Sequence, residues 1–182
     1  MLLYRKTVRD AVQAVLANGV TGFNARLSAG AGAYGITAAD VVLDFTGASG
    51  NFALSRISLE TIEEAAAFVP LQRLSCCLFT APMADSGLPR AVPFSGSVNA
   101  YVRLFYRPRV GIESYNTEDW MDAIEDAALS ALNDNAVVWP ISSTITVIFA
   151  RQCAADRTEI YQLSDGFMQM AEIRIPFEVK AR

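Results

Sequence analysis

The sequence predicts an α+β protein with a mostly antiparallel sheet and helices packed on one face of it. Apolar residues recur at helical spacing in three segments, residues 5–18, 58–69 and 117–132. Apolar and polar residues alternate as in strands, most clearly over 97–108 and 169–180. In the C-terminal half, strands follow one another along the chain, and this order favours antiparallel pairing.

Each predicted helix has recognisable ends. The first carries an apolar stripe at Val8, Val12 and Val15/Leu16 and stops at Asn18-Gly19. The second begins at an N-cap, Ser58, has acidic residues early in the segment and ends at Pro70. The third begins at Thr117 and is broken by Asn133-Asp134-Asn135, with a predicted buried stripe of Trp120, Ile124, Ala128 and Leu132.

Five strands are predicted, at residues 41–45, 71–80, 97–108, 142–151 and 169–180. The 71–80 segment is apolar on both faces, so we expect a central strand. In the 97–108 strand we expect one face to carry Val98, Ala100, Val102, Leu104 and Tyr106. Pro176 has no backbone N–H to donate to a neighbouring strand. This predicts that the last strand lies at an edge of the sheet or carries a bulge.

Two other segments predict loops within a single domain that spans residues 1–182. Residues 19–37 are rich in glycine and alanine and predict a loop with one irregular turn. Residues 81–96 predict a long loop that contains proline and glycine, and loops of that length are usually functional or mobile. We find no internal repeat and no linker.

The composition favours an oligomer over a nucleic-acid-binding protein. Of the 182 residues, 52% are hydrophobic and only 19% are charged, so apolar surface is expected at interfaces. The net charge of −4 opposes tight binding to phosphates. The N-terminus becomes charged too early for a signal peptide, and no apolar run is long enough to span a membrane. We therefore expect a soluble chain made in the cytosol.

The chemistry of the side chains points away from catalysis. The chain has no histidine, which excludes serine and cysteine nucleophiles that use a histidine base and removes the commonest zinc ligand. The three cysteines, Cys76, Cys77 and Cys153, predict buried free thiols. Carboxylates are plentiful but form no specific pattern. We therefore expect no enzyme, and we name no catalytic, cofactor-binding or metal-ligating residue.

Three weaker patterns have structural explanations that we favour. Gly30-Ala31-Gly32-Ala33-Tyr34-Gly35 fits G-x-G-x-x-G, but no convincing strand precedes it, so a flexible loop is favoured over dinucleotide binding. Arginines 103, 107 and 109 predict a solvated strand face rather than a phosphate contact. The aromatic residues Tyr101, Phe105, Tyr106, Trp120 and Trp139 predict core and interface packing rather than a stacking platform for single strands.

The order of features also carries a resemblance. An N-terminal helix leads into Gly22-Phe23-Asn24, and a proline-rich connection precedes a strand that begins Phe94-Ser95-Gly96-Ser97-Val98. A helix that begins Asn116-Thr117-Glu118-Asp119-Trp120 follows, and the chain closes with residues 159–163 and the strand 171–179. In this order the chain resembles the tail-terminator and neck (head–tail joining) proteins of tailed bacteriophages. The likeness is architectural, so no functional residue is carried across.

The resemblance implies a structural subunit of the virion, assembled in the host cytoplasm. Such subunits close into homo-oligomeric rings, most often hexamers, that contact neck, portal or tail-tube proteins and let double-stranded DNA pass without holding it. Strand 169–180 or loop 81–96 would supply a ring contact. Two alternatives stay open: another virion component, in tail completion or associated with the capsid, and a small-molecule module that uses carboxylates and the glycine-rich segment.

Overall fold

In the described residues, two helices and a 3₁₀ helix are followed by three strands, a long helix and then five strands. The computed structural model describes residues 4–37, 41–54, 74–81, 95–108, 116–134, 138–140, 145–149, 153–158, 161–163 and 166–181. The helices are α1 (Tyr4–Leu16), α2 (Phe23–Gly30), a 3₁₀ helix (Ala31–Tyr34) and α3 (Thr117–Asn133). The strands are β1 (Phe52–Ala53), β2 (Leu74–Thr80), β3 (Ser95–Tyr106), β4 (Val138–Pro140), β5 (Ile145–Phe149), β6 (Ala154–Arg157), β7 (Tyr161–Leu163) and β8 (Gly166–Ala181). The predicted α+β class is confirmed.

The sheet is built around β8. Its main path runs β1-β2-β3-β8-β5-β4, with β6 and β7 also paired to β8. One edge of β8 pairs with β3, from Ser95 opposite Lys180 to Tyr106 opposite Gln169. The other edge is covered in turn by β7, β6 and β5. The pairs are antiparallel except for β1 with β2, which are parallel.

Pro176 lies in a central strand, so the prediction that its strand forms an edge is wrong. Pro176 faces Asn99 across the β3·β8 ladder. The Asn99 carbonyl points the other way and accepts a hydrogen bond from Ala81 N at 2.9 Å. Asn99 and Pro176 therefore form a non-hydrogen-bonded pair, in which the missing N–H points away from β3. On that far side Pro176 falls between the stretches of β8 that pair with β6 and β5, so it removes no bond of the described ladder.

The described helices lie on one face of the sheet, as predicted, where α1 and α3 contact strands and α2 packs against α3. The face of β3 toward the helices carries Val98, Ala100, Val102, Leu104 and Tyr106, all buried, so the predicted alternation is confirmed. The predicted stripe of α3 is also buried, and the Trp120 ring stacks on Tyr106 with centroids 5.5 Å apart. α1 packs over β2 and β3, whereas α3 packs over β8 and β6.

A second, smaller apolar cluster lies on the opposite face of the sheet. It consists of Cys77, Phe79, Phe105, Met168 and Met170, all buried. The predicted central position of the 71–80 segment is confirmed, because β2 lies between β1 and β3 and its side chains are buried on both faces.

Residues 23–34 are helical, which corrects the predicted loop over 19–37. The turn before α2 requires Gly22, because a Cβ there would lie 2.5 Å from the Leu16 carbonyl oxygen. The Asn18 side chain accepts hydrogen bonds from Val20 N at 2.9 Å and Thr21 N at 3.0 Å, which fixes the same turn. Phe23 then anchors α2 in the core. Only two residues of α2 are buried, so the sequence offers little helical periodicity.

Residues 41–45 alternate like a strand but have no strand partner within the described part of the chain. Val41, Leu43 and Phe45 are buried, as the predicted strand requires, and Val42 is exposed. The side-chain amides of two asparagines make the backbone hydrogen bonds that a neighbouring strand would otherwise make. Asn24 accepts a hydrogen bond from Leu43 N at 2.9 Å and donates one to Leu43 O at 2.8 Å. Asn51 accepts a hydrogen bond from Asp44 N and donates one to Val42 O. The predicted strand is therefore an extended segment held by two asparagines.

The remaining differences concern element ends and short strands. The N-cap of α3 is Asn116 rather than Thr117. Strands β1, β4, β6 and β7, of two to four residues each, were not predicted, because so short a run shows no clear period. The predicted helix 58–69 and residues 82–94 of the predicted loop lie outside the described residues, whereas residues 95 and 96 belong to β3.

Candidate functional site

A single arginine on β6 binds three carboxylates of α3. Arg157 Nε donates to Glu125 at 2.7 Å, Nη1 to Glu118 at 2.5 Å and Nη2 to Asp122 at 2.5 Å. The three acids are spaced i, i+4 and i+7, so they share one flank of the helix. Gln169, buried on the neighbouring β8, also donates to Glu118 at 3.2 Å.

This cluster (Arg157, Glu118, Asp122 and Glu125) joins α3 to the sheet. The hydrogen bond to Glu125 and those to Asp122 and Glu118 raise the pKa of Arg157 above its ordinary value, against the opposing effect of burial. The guanidinium therefore stays protonated, and its donors are used by carboxylates of the same chain. The arrangement suits a structural clamp better than acid–base chemistry.

A shallow depression of about 390 Å³ lies between the α2–3₁₀ segment and α3. Small side chains line much of it, and Tyr34, Asp126 and Ser130 supply polar groups. The Tyr34 hydroxyl donates to the Asp126 carboxylate. That hydrogen bond, followed by burial and the charges of Asp126 and Asp122, raises the pKa of Tyr34 to about 12. Tyr34 is therefore a neutral phenol at ordinary pH.

The glycine-rich segment forms one wall of this depression but lacks dinucleotide-binding geometry. Gly30 is the last residue of α2, and Gly35 caps the 3₁₀ helix with a φ of 67°. Dinucleotide binding needs a strand before the glycines and a helix N-terminus after them. Here a helix precedes the glycines, and the predicted flexible loop is also wrong because the segment is helical.

On the other face of the sheet, Arg103 is paired rather than solvated. Its side chain is only 14% exposed and donates to the Glu172 carboxylate opposite it on β8. Its guanidinium carbon also lies 4.9 Å from the centroid of the Phe79 ring, which stacks on Tyr101. The predicted solvated face is therefore wrong for Arg103. Arg107 is half-buried, and Arg109 lies outside the described residues.

The three cysteines are buried and form no disulfide, as predicted. Burial, followed by the charge of Cys77, raises the pKa of Cys76 well above its ordinary value, and burial raises that of Cys153 to about 12. Cys76 and Cys153 are thus protonated at neutral pH and weak nucleophiles. In the part of the chain that the structure describes, no three acidic or thiol side chains meet in a group suited to a metal ion. None of the helices described there is long and apolar enough to cross a membrane.

Helix α1 carries three cations and contacts the 41–54 segment through Gln13. α1 carries Arg5, Lys6 and Arg9 and has no acidic residue in its first turn. Gln13, one turn beyond Arg9, donates to Phe45 O at 2.7 Å, so this flank of α1 faces the 41–54 segment. In that segment Val42 is 53% exposed and Leu54 is 48% exposed.

The Arg157 cluster was not anticipated, although the sequence contains a signal for it. α3 has five acidic residues and no basic one, so its own i, i+4 neighbours cannot neutralise the row at 118, 122 and 125. A cation from another element is therefore required. Which arginine supplies it depends on strand pairing, and β6 is too short to be recognised from the sequence.

Comparison with known proteins adds no family to this description. A scan against models of protein families finds no match, and a search of curated proteins finds none either.

Proposed function

We propose that this chain is a structural subunit of the neck or tail terminus of a tailed bacteriophage. In this role it forms a homo-oligomeric ring, a hexamer in our proposal, that joins or caps the tail and lets DNA pass. The subunit works in the virion, after assembly in the host cytoplasm, beside neck, portal or tail-tube proteins.

The observation that carries the proposal is how the described residues use their polar and apolar groups. The polar clusters hold elements together: Arg157 binds α3 to β6, Asn24 and Asn51 hold residues 41–45, and Arg103 joins β3 to β8. Meanwhile Val42 and Leu54 remain about half exposed in one segment, and Val20 is 83% exposed. Polar groups that are used within the subunit, together with these exposed apolar side chains, are our reason to favour contacts with other subunits over catalysis.

The fold and the charge are consistent with this role. The resemblance to neck and tail-terminator proteins implies a small α+β subunit, and the chain has that architecture. Its net charge of −4 also suits a channel through which DNA moves without being held. The strand proposed for a ring contact is not available, because β8 is paired along both edges, so the contacts must lie elsewhere.

Electron microscopy of the purified full-length chain tests the proposal. We expect negatively stained particles that average to closed rings with a central opening, and the rings should bind the ends of isolated tail tubes. Particles that are only monomers, with no attachment to tubes, would contradict it. Rings that decorate capsids but not tails would instead support another virion component.

The depression beside Tyr34 supports a second candidate, a small-molecule-binding module. It combines a concave wall from the Gly30–Gly35 segment with a hydroxyl and a carboxylate. A thermal-shift screen with nucleotides and small polar metabolites separates the two functions. Under this alternative a ligand raises the melting temperature, and Asp126→Asn abolishes the shift. Under our primary proposal no ligand of these classes does so.

A further inference from the structure

Two helices of the described structure, α1 and α3, carry surfaces of opposite charge. The acidic face is formed by α3 and consists of Glu118, Asp119, Asp122, Glu125 and Asp126. The basic end is formed by Arg5, Lys6 and Arg9 of α1, next to the 41–54 segment.

The acidic face carries a large excess of negative charge. Within the described residues its ion pairs are made with one cation, Arg157, so five carboxylates against one guanidinium leave four negative charges. The net charge of the whole chain is also −4, so the remainder is neutral overall. Since Glu118, Asp119 and Asp126 are exposed, much of this excess faces solvent.

The basic end has cations that form no ion pair with the described residues. Lys6 pairs with Asp10 at 2.5 Å, but Arg5 and Arg9 have no ion pair within the described residues. The Arg9 Nε is buried and has no hydrogen-bond acceptor there. Cations in the first turns of a helix also oppose its dipole. These cations therefore do little for the stability of α1, and this points to an anionic partner outside the subunit.

No ion pair joins the two surfaces within the described residues. α1 packs over β2 and β3, also contacts α3, and turns the flank that bears Gln13 toward Phe45. α3 turns Glu118, Asp122 and Glu125 toward Arg157 on β6. The cations of α1 and the exposed carboxylates of α3 therefore remain available to a second copy.

We propose that the basic end of one copy docks on the acidic face of the next copy, in a head-to-tail contact. In a closed ring, one patch of each subunit meets a different patch of its neighbour. The charges select the partner and set its orientation. Val42 and Leu54, exposed in the segment that Gln13 contacts, supply apolar area to the contact. The inference rests on the proposed function, because it names the surfaces through which the proposed ring closes.

Paired charge reversals test the contact in the full-length chain. One variant carries Arg5→Glu with Lys6→Glu, and a second carries Asp119→Lys with Asp126→Lys, which leaves Arg157 and its three carboxylates intact. Arg174→Glu is the control, since Arg174 is exposed on β8 and belongs to neither surface. Light scattering gives the molecular mass over a concentration series, and thermal melting identifies any variant that does not fold.

We expect each reversed variant to need at least about tenfold more protein than wild type to assemble, whereas Arg174→Glu assembles like wild type. Combining all four substitutions in one chain brings two new carboxylates to two new ammonium groups and leaves the net charge at −4, so assembly should be regained in part. An equimolar mixture of the two reversed variants should also assemble, but only into rings with an even number of copies, since the variants must alternate. Assembly of the wild type should weaken as salt increases.

The outcomes separate this inference from the proposed function. If wild type assembles but folded reversed variants assemble equally well, the head-to-tail contact is overturned and the ring stands. The same conclusion follows if folded variants lose assembly and the fourfold variant does not regain it. A wild type that stays monomeric at every concentration overturns both.

Discussion

Replacing Arg157 with methionine removes the cation that binds three carboxylates of α3. Methionine retains much of the aliphatic stem, so the substitution mainly tests the charge and its hydrogen bonds. Arg157 is 22% exposed and Glu125 is 15% exposed, so this pair is the shielded part of the cluster. Glu118 and Asp122 are 60% and 49% exposed, and their pairs behave more like surface pairs.

The expected cost follows from these exposures. A shielded hydrogen bond to a charged group contributes about 1.5–3 kcal/mol, and an exposed ion pair about 0.2–1 kcal/mol. Arg157→Met should therefore destabilise the fold by about 2–5 kcal/mol. For a chain of this length, a loss of about 3 kcal/mol lowers the melting temperature by about 6–12 °C.

Urea unfolding followed by circular dichroism measures the loss. Protein concentration is held constant, because assembly would itself change the apparent stability. Glu125→Gln should cost more than Glu118→Gln, and high salt should reduce the effect of Glu118 more than that of Glu125. Arg174→Met serves as the exposed control. A loss below about 0.5 kcal/mol for Arg157→Met, or one equal to that of the control, would refute the role of the clamp.

Three further predictions concern single contacts. Asn24→Ala should cost about 1–3 kcal/mol in urea unfolding, because both backbone groups of buried Leu43 lose their partner; Asn24→Asp, which keeps only the acceptor, should not restore the loss. Asp126→Asn should lower the pKa of Tyr34 from about 12 toward its ordinary 10.0. The pKa of Tyr34 is measured from the ultraviolet absorbance of tyrosinate, after the signal of the other tyrosines, recorded in Tyr34→Phe, is subtracted. An unchanged pKa in Asp126→Asn would contradict the hydrogen bond between Tyr34 and Asp126. The hydroxyl of Thr46 and then the N–H groups of Ser49 and Thr46 lower the pKa of Asp44 from 3.8 to about 2. This stabilisation is present above pH 3.8 and is lost as the pH falls through about 2, so wild type and Asp44→Asn should converge in stability over that window. If the free energies of unfolding of wild type and Asp44→Asn changed in parallel with pH, the lowered pKa of Asp44 would be excluded.

The strongly periodic elements were predictable because one local pattern determines each of them. β3 and α3 have alternating or helical stripes that match the buried faces observed. The position of a strand within the sheet is a different property. The edge position inferred from Pro176 was wrong because β6 and β5 pair with β8 on either side of the proline, and local sequence does not report that gap.

Side-chain contacts over long sequence distances account for the other misses. Asn24 replaces a strand partner for Leu43, 19 residues away, so an apolar run that alternates like a strand lies outside the ladder. Arg157 reaches carboxylates more than 30 residues away through β6, a strand of four residues. Acidic spacing along α3 indicates that a cation is needed, but only the fold identifies it.

Native mass spectrometry of the purified full-length chain tests the proposed ring most directly. Six copies of the 19.7 kDa chain give a closed assembly of about 118 kDa, and our proposal predicts that this species dominates as protein concentration increases. A single species of 19.7 kDa at every concentration would contradict the proposal.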